Sequence, residues 1–346
     1  MTRFAASLAI SLFALAVRAA TPPSQPASGP GGSNYSYATV SVTGPFNDGP
    51  GCPGVSCNAG TEYYIFQPAT PRPTTPLPVI LFLHGFSAED PNDYADWIGH
   101  IVRKGFTLVW TNWDNGGTAG GDVAISNEIT AFQTSLARIR KDTSYVPAAV
   151  DAWGVVRAAL AGHSGGAFTG FRVAALSWDK TNGIPPIRAI AAMNPGQGNL
   201  LDYDISGLHA STFAAIVVGS DESTCEQYVG AKLYDQLPMI PKTAKAFLEA
   251  WTDNHGSPGL SAIHNFPLTY PPTYPVDAMD YNISYKISVA LFQCAFYLNS
   301  CAAATINGTT ETSMGNWSDG VPVTPLTHFT TDPLTTFPWP GGGCTQ

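Results

Sequence analysis

The stretch that decides the fold runs from Val155 to Trp178. It reads Val155-Val156-Arg157-Ala158-Ala159-Leu160-Ala161, then Gly162-His163-Ser164-Gly165-Gly166, then Ala167-Phe168-Thr169 onward to Trp178. The first part is an apolar run without alternation, which suits a strand buried on both faces. The last part reads as a helix. Between them sits Gly-x-Ser-x-Gly. Alone, that string is too short to mean much. On a sharp strand-to-helix turn it projects the serine hydroxyl from the sheet. Glycine at 162 and 166 removes side chains that would collide there. The helix aims its first amides at the same spot, which favours a developing anion. Ser164 is the candidate nucleophile.

Further apolar runs lie at Leu77–Leu83, Phe106–Trp110, Ile187–Met193, Phe213–Val218 and Ala246–Trp251. Helix-like stretches fall between them at Asp93–Lys104, Ile125–Arg140, Glu226–Gln236 and Tyr281–Leu298. Strands alternating with helices predict an α/β fold, a mostly parallel central sheet with helices on both faces. Two strand-like stretches, Tyr37–Thr43 and Thr61–Gln67, precede it.

The remaining chemistry is placed by chain order. His84-Gly85-Phe86 follows the Leu77–Leu83 strand, so the backbone N–H groups of Phe86 and Gly165 are the expected oxyanion donors. The Phe86 side chain and His163 are expected at the substrate, and His84 is read as a structural residue of its loop. The acid should come next, at the end of a late strand. Asp221, in Gly219-Ser220-Asp221-Glu222, is chosen; Glu222 is second, and Asp202 and Asp204 lie too early. The base should follow in a loop after the last parallel strand. His255, in Thr252-Asp253-Asn254-His255-Gly256, is chosen; His264 is the alternative, and His328 lies in the tail. Such a triad requires neither metal nor organic cofactor.

Composition sets the outer limits. The chain has 346 residues, of which only 12% are charged, and a formal net charge of −9. That argues against a nucleic-acid partner, which needs basic surface. Residues 1–19 read as a signal peptide: Arg3, an apolar run from Phe4 to Val17, and small residues at Ala19 and Ala20. The run is too short to span a bilayer, so the chain is expected to be secreted, extracellular and monomeric. The expected organisation is 1–19 signal peptide, 20–34 flexible lead-in, 35–300 catalytic domain, and 301–346 a C-terminal extension. Four Asn-x-Ser/Thr sequons stand at Asn34, Asn282, Asn307 and Asn316. The glycine-rich stretch Asp114–Asp122 is read as a loop near the site.

Six cysteines in an exported chain predict disulfides. Cys52 and Cys57 flank a tight turn and are expected to pair. Cys294 and Cys301 share a helix face, where they would stand about 10 Å apart, too far to bridge. One of them is therefore expected to hold Cys344. Cys225 completes the set.

These residues resemble the α/β-hydrolase superfamily over about residues 60–300. Within it the chain is similar to the secreted cutinase and polyester-hydrolase group and to chlorophyllase-like esterases. Pro78–Phe86 resembles their strand and oxyanion loop, and Gly162–Gly166 their elbow, including His163. Lys245-Ala246-Phe247-Leu248-Glu249 followed by His255 resembles the strand and base of that group. The resemblance implies a secreted serine carboxylic-ester hydrolase acting through an acyl-enzyme on a small or polymeric ester. Gly165, where the bacterial polyester hydrolases carry Met, and Asn194-Pro195-Gly196, where they carry Trp, depart from it. A lipase or polyester hydrolase on the same triad, a peptidase or amidase on it, and a non-catalytic binding protein on the same scaffold are the rival readings.

Overall fold

The computed structural model describes residues 19–47, 59–113, 120–196, 203–222, 225–305 and 309–338. The expected signal segment up to residue 18, the Cys52–Cys57 pair, the Cys344 tether, Asp202, Asn307 and residues 114–119 of the glycine-rich loop lie outside the described residues.

In chain order the strands and main helices are β1 (Thr39–Phe46), β2 (Tyr63–Thr70), β3 (Val79–Leu83), α1 (Ala95–Arg103), β4 (Thr107–Thr111), α2 (Asp122–Lys141), β5 (Ala158–His163), α3 (Ser164–Ser177), β6 (Ile187–Met193), β7 (Phe213–Gly219), α4 (Glu226–Asp235), β8 (Lys245–Ala250), α5 (Lys286–Tyr297), α6 (Cys301–Thr305) and β9 (Thr327–His328). The strands form one sheet in the order β1-β2-β4-β3-β5-β6-β7-β8-β9. From β4 to β8 every neighbour is parallel. The pairs at the two edges are antiparallel.

The apolar runs became strands because both their faces are covered. Ile80, Phe82, Ala159 and Ala161 join the layer of Trp97 from α1 and Phe292 from α5. Val79, Leu81, Leu83 and Leu160 face the opposite layer, with Phe132 from α2, Phe171 from α3 and Val229 from α4. Parallel strands end on one side, so the loops after β3, β5, β7 and β8 open at the same rim. That is where ligands meet open α/β sheets.

The contacts of two expected stretches can be described, and one cysteine expectation is corrected. The 20–34 stretch is fastened down rather than loose: Ser257 N–H donates to the Ala20 carbonyl at 2.8 Å, His100 Nε2 donates to Pro30 O at 2.7 Å, and Gly31 and Gly32 are buried. The 301–346 extension enters the core: Met314, Trp317, Val323 and Leu326 are buried, and β9 pairs with β8. Finally, Cys294 and Cys301 bond to each other, with their Cα atoms 4.7 Å apart. The helix expected to separate them ends at Tyr297, and Leu298 and Ser300 take positive φ of 54° and 57°. The chain reverses there and begins α6 at Cys301. Cys225 is also disulfide-bonded. Of the sequons, Asn282 is buried and its amide donates to the Ala278 and Met314 carbonyls, both at 3.1 Å. Among the described residues no helix is long and apolar enough to cross a membrane.

Candidate active site

Ser164 is the first residue of α3, directly after β5, and its φ is +52°. A non-glycine residue held there costs about 1–3 kcal/mol, and such strain persists only where the surroundings impose it. Here they do. A Cβ on Gly166 would lie 2.4 Å from the His84 and Leu83 carbonyl oxygens, and one on Gly162 would lie 2.8 Å from Ala167 N. The first turn of α3 is therefore pressed against the end of β3. Gly166 N–H fixes that approach by donating to His84 O at 3.1 Å.

The imidazole brought to Ser164 belongs to His264. Its Nε2 lies 2.9 Å from Ser164 Oγ, and its Nδ1 lies 3.1 Å from Glu222 Oε2. The Glu222 side chain is 1% exposed. Ser164 O–H thus points its proton at Nε2, while Nδ1–H donates to the carboxylate.

Asp221 and His255, expected in those two places, are elsewhere. Asp221 is exposed. Its Oδ2 accepts from Thr252 Oγ1 at 2.6 Å, and the same hydroxyl accepts from Ala262 N–H at 2.9 Å. Asp221 therefore ties the loop after β7 to the chain just before His264. Successive residues leaving a strand face opposite ways, so Glu222 faces inward where Asp221 faces out. His255 is displaced by a local closure. Asp253 and Leu260 exchange backbone hydrogen bonds at 2.8 and 2.9 Å, so residues 254–259 form an excursion off the path toward Ser164. His255 Nε2 meets Asp319 Oδ2 at 2.7 Å, in the C-terminal extension. Asp204 accepts from its own loop, at Ser206 N–H, and His328 lies in β9.

The oxyanion expectation concerned backbone, and the Gly85–Phe86 loop packs against the Ser164–Gly165 turn. A Cβ on Gly85 would stand 3.2 Å from Ser164 Cβ, and one on Gly165 would stand 3.7 Å from Phe86 N. The Phe86 ring is 56% exposed and lies 6.3 Å from the Trp113 ring. His163, expected at the substrate, is instead buried behind the site, 2% exposed. His84 is structural as read: it stacks on Trp110 and Trp113, its Nδ1 lies 2.7 Å from Gly85 O, and burial lowers its pKa to about 4.

The sequence assigned no role to two residues of the site. Trp113 covers the first turn of α3, its ring 3.2 Å from where a Gly165 Cβ would sit, and its Nε1 donates to His84 O at 3.0 Å. Asn194, at φ +45°, donates from Nδ2 to the His264 carbonyl at 2.8 Å. The only signal for either was position: Trp113 just after β4, and Asn194 just after β6 in a Pro-Gly turn.

No family model and no curated protein matches the sequence. The structure does match. It is similar to a solved structure from a study of two fungal esterases from Rhizomucor miehei and their substrate specificity, with a TM-score of 0.52 at 16% identity. The match covers 76% of this chain and 86% of that one. The fold is that of the α/β-hydrolases.

Proposed function

We propose that the protein is a secreted serine carboxylic-ester hydrolase in which Ser164, His264 and Glu222 are nucleophile, base and acid. One observation carries the reading: the Ser164–His264–Glu222 chain, at 2.9 and 3.1 Å, on a serine of positive φ. Ser164 Oγ attacks the ester carbonyl carbon as His264 Nε2 takes its proton. Glu222, through Nδ1–H, holds the imidazole in the needed tautomer and stabilises its cation. The Phe86 and Gly165 amides receive the tetrahedral oxyanion, one such donor being worth about 3–4 kcal/mol. His264 then protonates the leaving alcohol, and water repeats the sequence on the acyl-enzyme.

The disulfides support an oxidising destination, since such bonds persist outside the cytosol. An assembled triad favours catalysis over a binding role. The exposed Phe86 ring beside Trp113 offers an apolar, aromatic wall to an uncharged acyl group. The test is a p-nitrophenyl ester series of rising acyl length, run beside amides and an insoluble polyester, with Ser164→Ala as control. Ester turnover that vanishes in S164A, along with fluorophosphonate labelling, is expected. Undiminished turnover in S164A would remove the mechanism.

A further inference from the structure

Tyr94 and His163 are fully or nearly fully buried and have no place in the chemistry above. Yet they connect two loops on which it depends. Tyr94 closes the short turn before α1. Its hydroxyl oxygen accepts from Gly85 N–H at 2.8 Å and stands 2.9 Å from His163 Nδ1. On the other side of the ring, His163 Nε2 lies 2.9 Å from the His264 carbonyl.

The direction of each bond follows from what each atom can do. A carbonyl only accepts, so His163 Nε2 carries the hydrogen. Burial foremost, and then the neighbouring His264, holds His163 well below the ordinary histidine range, so the ring is neutral and Nδ1 is bare. Nδ1 therefore accepts the Tyr94 proton, and the phenol oxygen keeps a lone pair for Gly85 N–H. The chain runs Gly85 to Tyr94 to His163 to His264.

We infer that Tyr94 and His163 are positioning residues, a buried hydrogen-bonded relay that fixes the Gly85–Phe86 loop against the His264 backbone. The relay rests on the reading of Ser164 and His264 given above, because it sets the distance between the oxyanion-binding amides and the base. A histidine that merely fills a core would be satisfied locally. His163 instead reaches partners 69 and 101 positions away in sequence, and one chain of bonds joins them to both loops. The Gly85 loop sits directly on the relay: a Cβ there would lie 2.9 Å from His163 Nδ1 and 3.1 Å from Tyr94 Oη. With Gly85 N–H committed to Tyr94, the next amide, that of Phe86, is the one presented beside Gly165. At the far end Asn194 donates to the same His264 carbonyl. The His264 backbone is thereby clamped from two sides while its ring bridges Glu222 and Ser164.

The test compares Tyr94→Phe, His163→Ala, His163→Gln and the Y94F/H163A pair in the full chain. kcat is expressed per serine titrated with a fluorophosphonate, so misfolded protein is not counted. Y94F should lower kcat roughly ten- to a hundredfold with KM within about threefold, because a displaced donor acts on the transition state. H163Q, which keeps an N–H for the His264 carbonyl, should recover part of the H163A loss. The double variant should be within about twofold of H163A, as expected for one connected chain. Ring nitrogen NMR supplies a readout independent of turnover: His163 should stay the neutral Nε2–H tautomer where an ordinary histidine titrates, and Y94F should shift its Nδ1 signal. A Y94F kcat per site within twofold of the parent, or a His163 that titrates near the usual histidine value, would overturn the relay. Retained ester turnover in S164A would instead remove the esterase reading and leave the NMR result standing.

Discussion

At the scale of single residues, the discriminating comparison is His264 against His255. Only His264 reaches Ser164 Oγ; His255 is bonded to exposed Asp319. His264→Ala should therefore cut kcat by about 10³-fold or more, in line with loss of a triad base. His255→Ala should leave it within about twofold, as surface substitutions usually do. The two acids divide in the same way. Glu222→Gln should cost activity on a similar scale, whereas Asp221→Asn should chiefly cost about 1 kcal/mol of stability through the Thr252 bond. Equal losses in H255A and H264A, measured on p-nitrophenyl acetate, would refute this assignment. Chain order led to the loops that approach Ser164, but not to the members of them that lie in hydrogen-bond reach. Nothing in Ser220-Asp221-Glu222 says which carboxylate turns inward, and nothing in Asn254–Gly259 says that Asp253 and Leu260 will close it off.

At the scale of elements, buried runs such as Ile187–Met193 were legible almost to the residue, because a strand covered on both faces has a plain apolar signature. The contact between α2 and α3 was not legible. Glu128 on α2 is fully buried, and Thr169 Oγ1 of α3 lies 2.5 Å from its Oε1. The same hydroxyl lies 3.1 Å from Gly165 O. Burial raises the Glu128 pKa to about 8, against a weaker lowering by Thr169. The folded protein thus holds a proton that the unfolded chain releases above its ordinary value of 4.5. Stability from this group is present below that value and falls as pH rises, by about 1.4 kcal/mol per unit, until about pH 8. Glu128→Gln should remove this slope. Urea unfolding of both proteins between pH 5 and 8 should give curves that diverge, with E128Q gaining relative to the parent as pH rises. Parallel curves would show that Glu128 is ionised in the fold.

At the scale of the whole molecule, the parallel sheet and the strand-to-helix turn at Ser164 were readable from the sequence, but the junction between the segment from Ala20 and the extension around Trp317 was not. β9 is only two residues long, and the extension's core residues Met314, Trp317, Val323 and Leu326 follow no helical or strand period. Their meaning lies in a three-way junction. A Cβ on Gly256 would fall 2.3 Å from Ala20 O and 2.5 Å from the Trp317 ring, so the N-terminal segment, the His255 excursion and the extension meet with no room between them. Asp253 fastens the junction. Burial would raise its pKa, but donors led by Thr324 N–H, with His255 N–H, Thr324 Oγ1 and Trp317 Nε1, hold it below the usual carboxylate range. The loop that carries His264 begins at this junction, so the extension is hydrogen-bonded to the root of that loop. Trp317→Ala removes a large, 1% exposed side chain and should cost about 3–5 kcal/mol. It should lower the single unfolding transition of the whole chain, and kcat measured well below that transition should fall as the 253–264 segment loosens. If the extension were an appendage, W317A would melt it separately and leave the main transition and the rate unchanged. Calorimetry alongside ester turnover distinguishes the two outcomes.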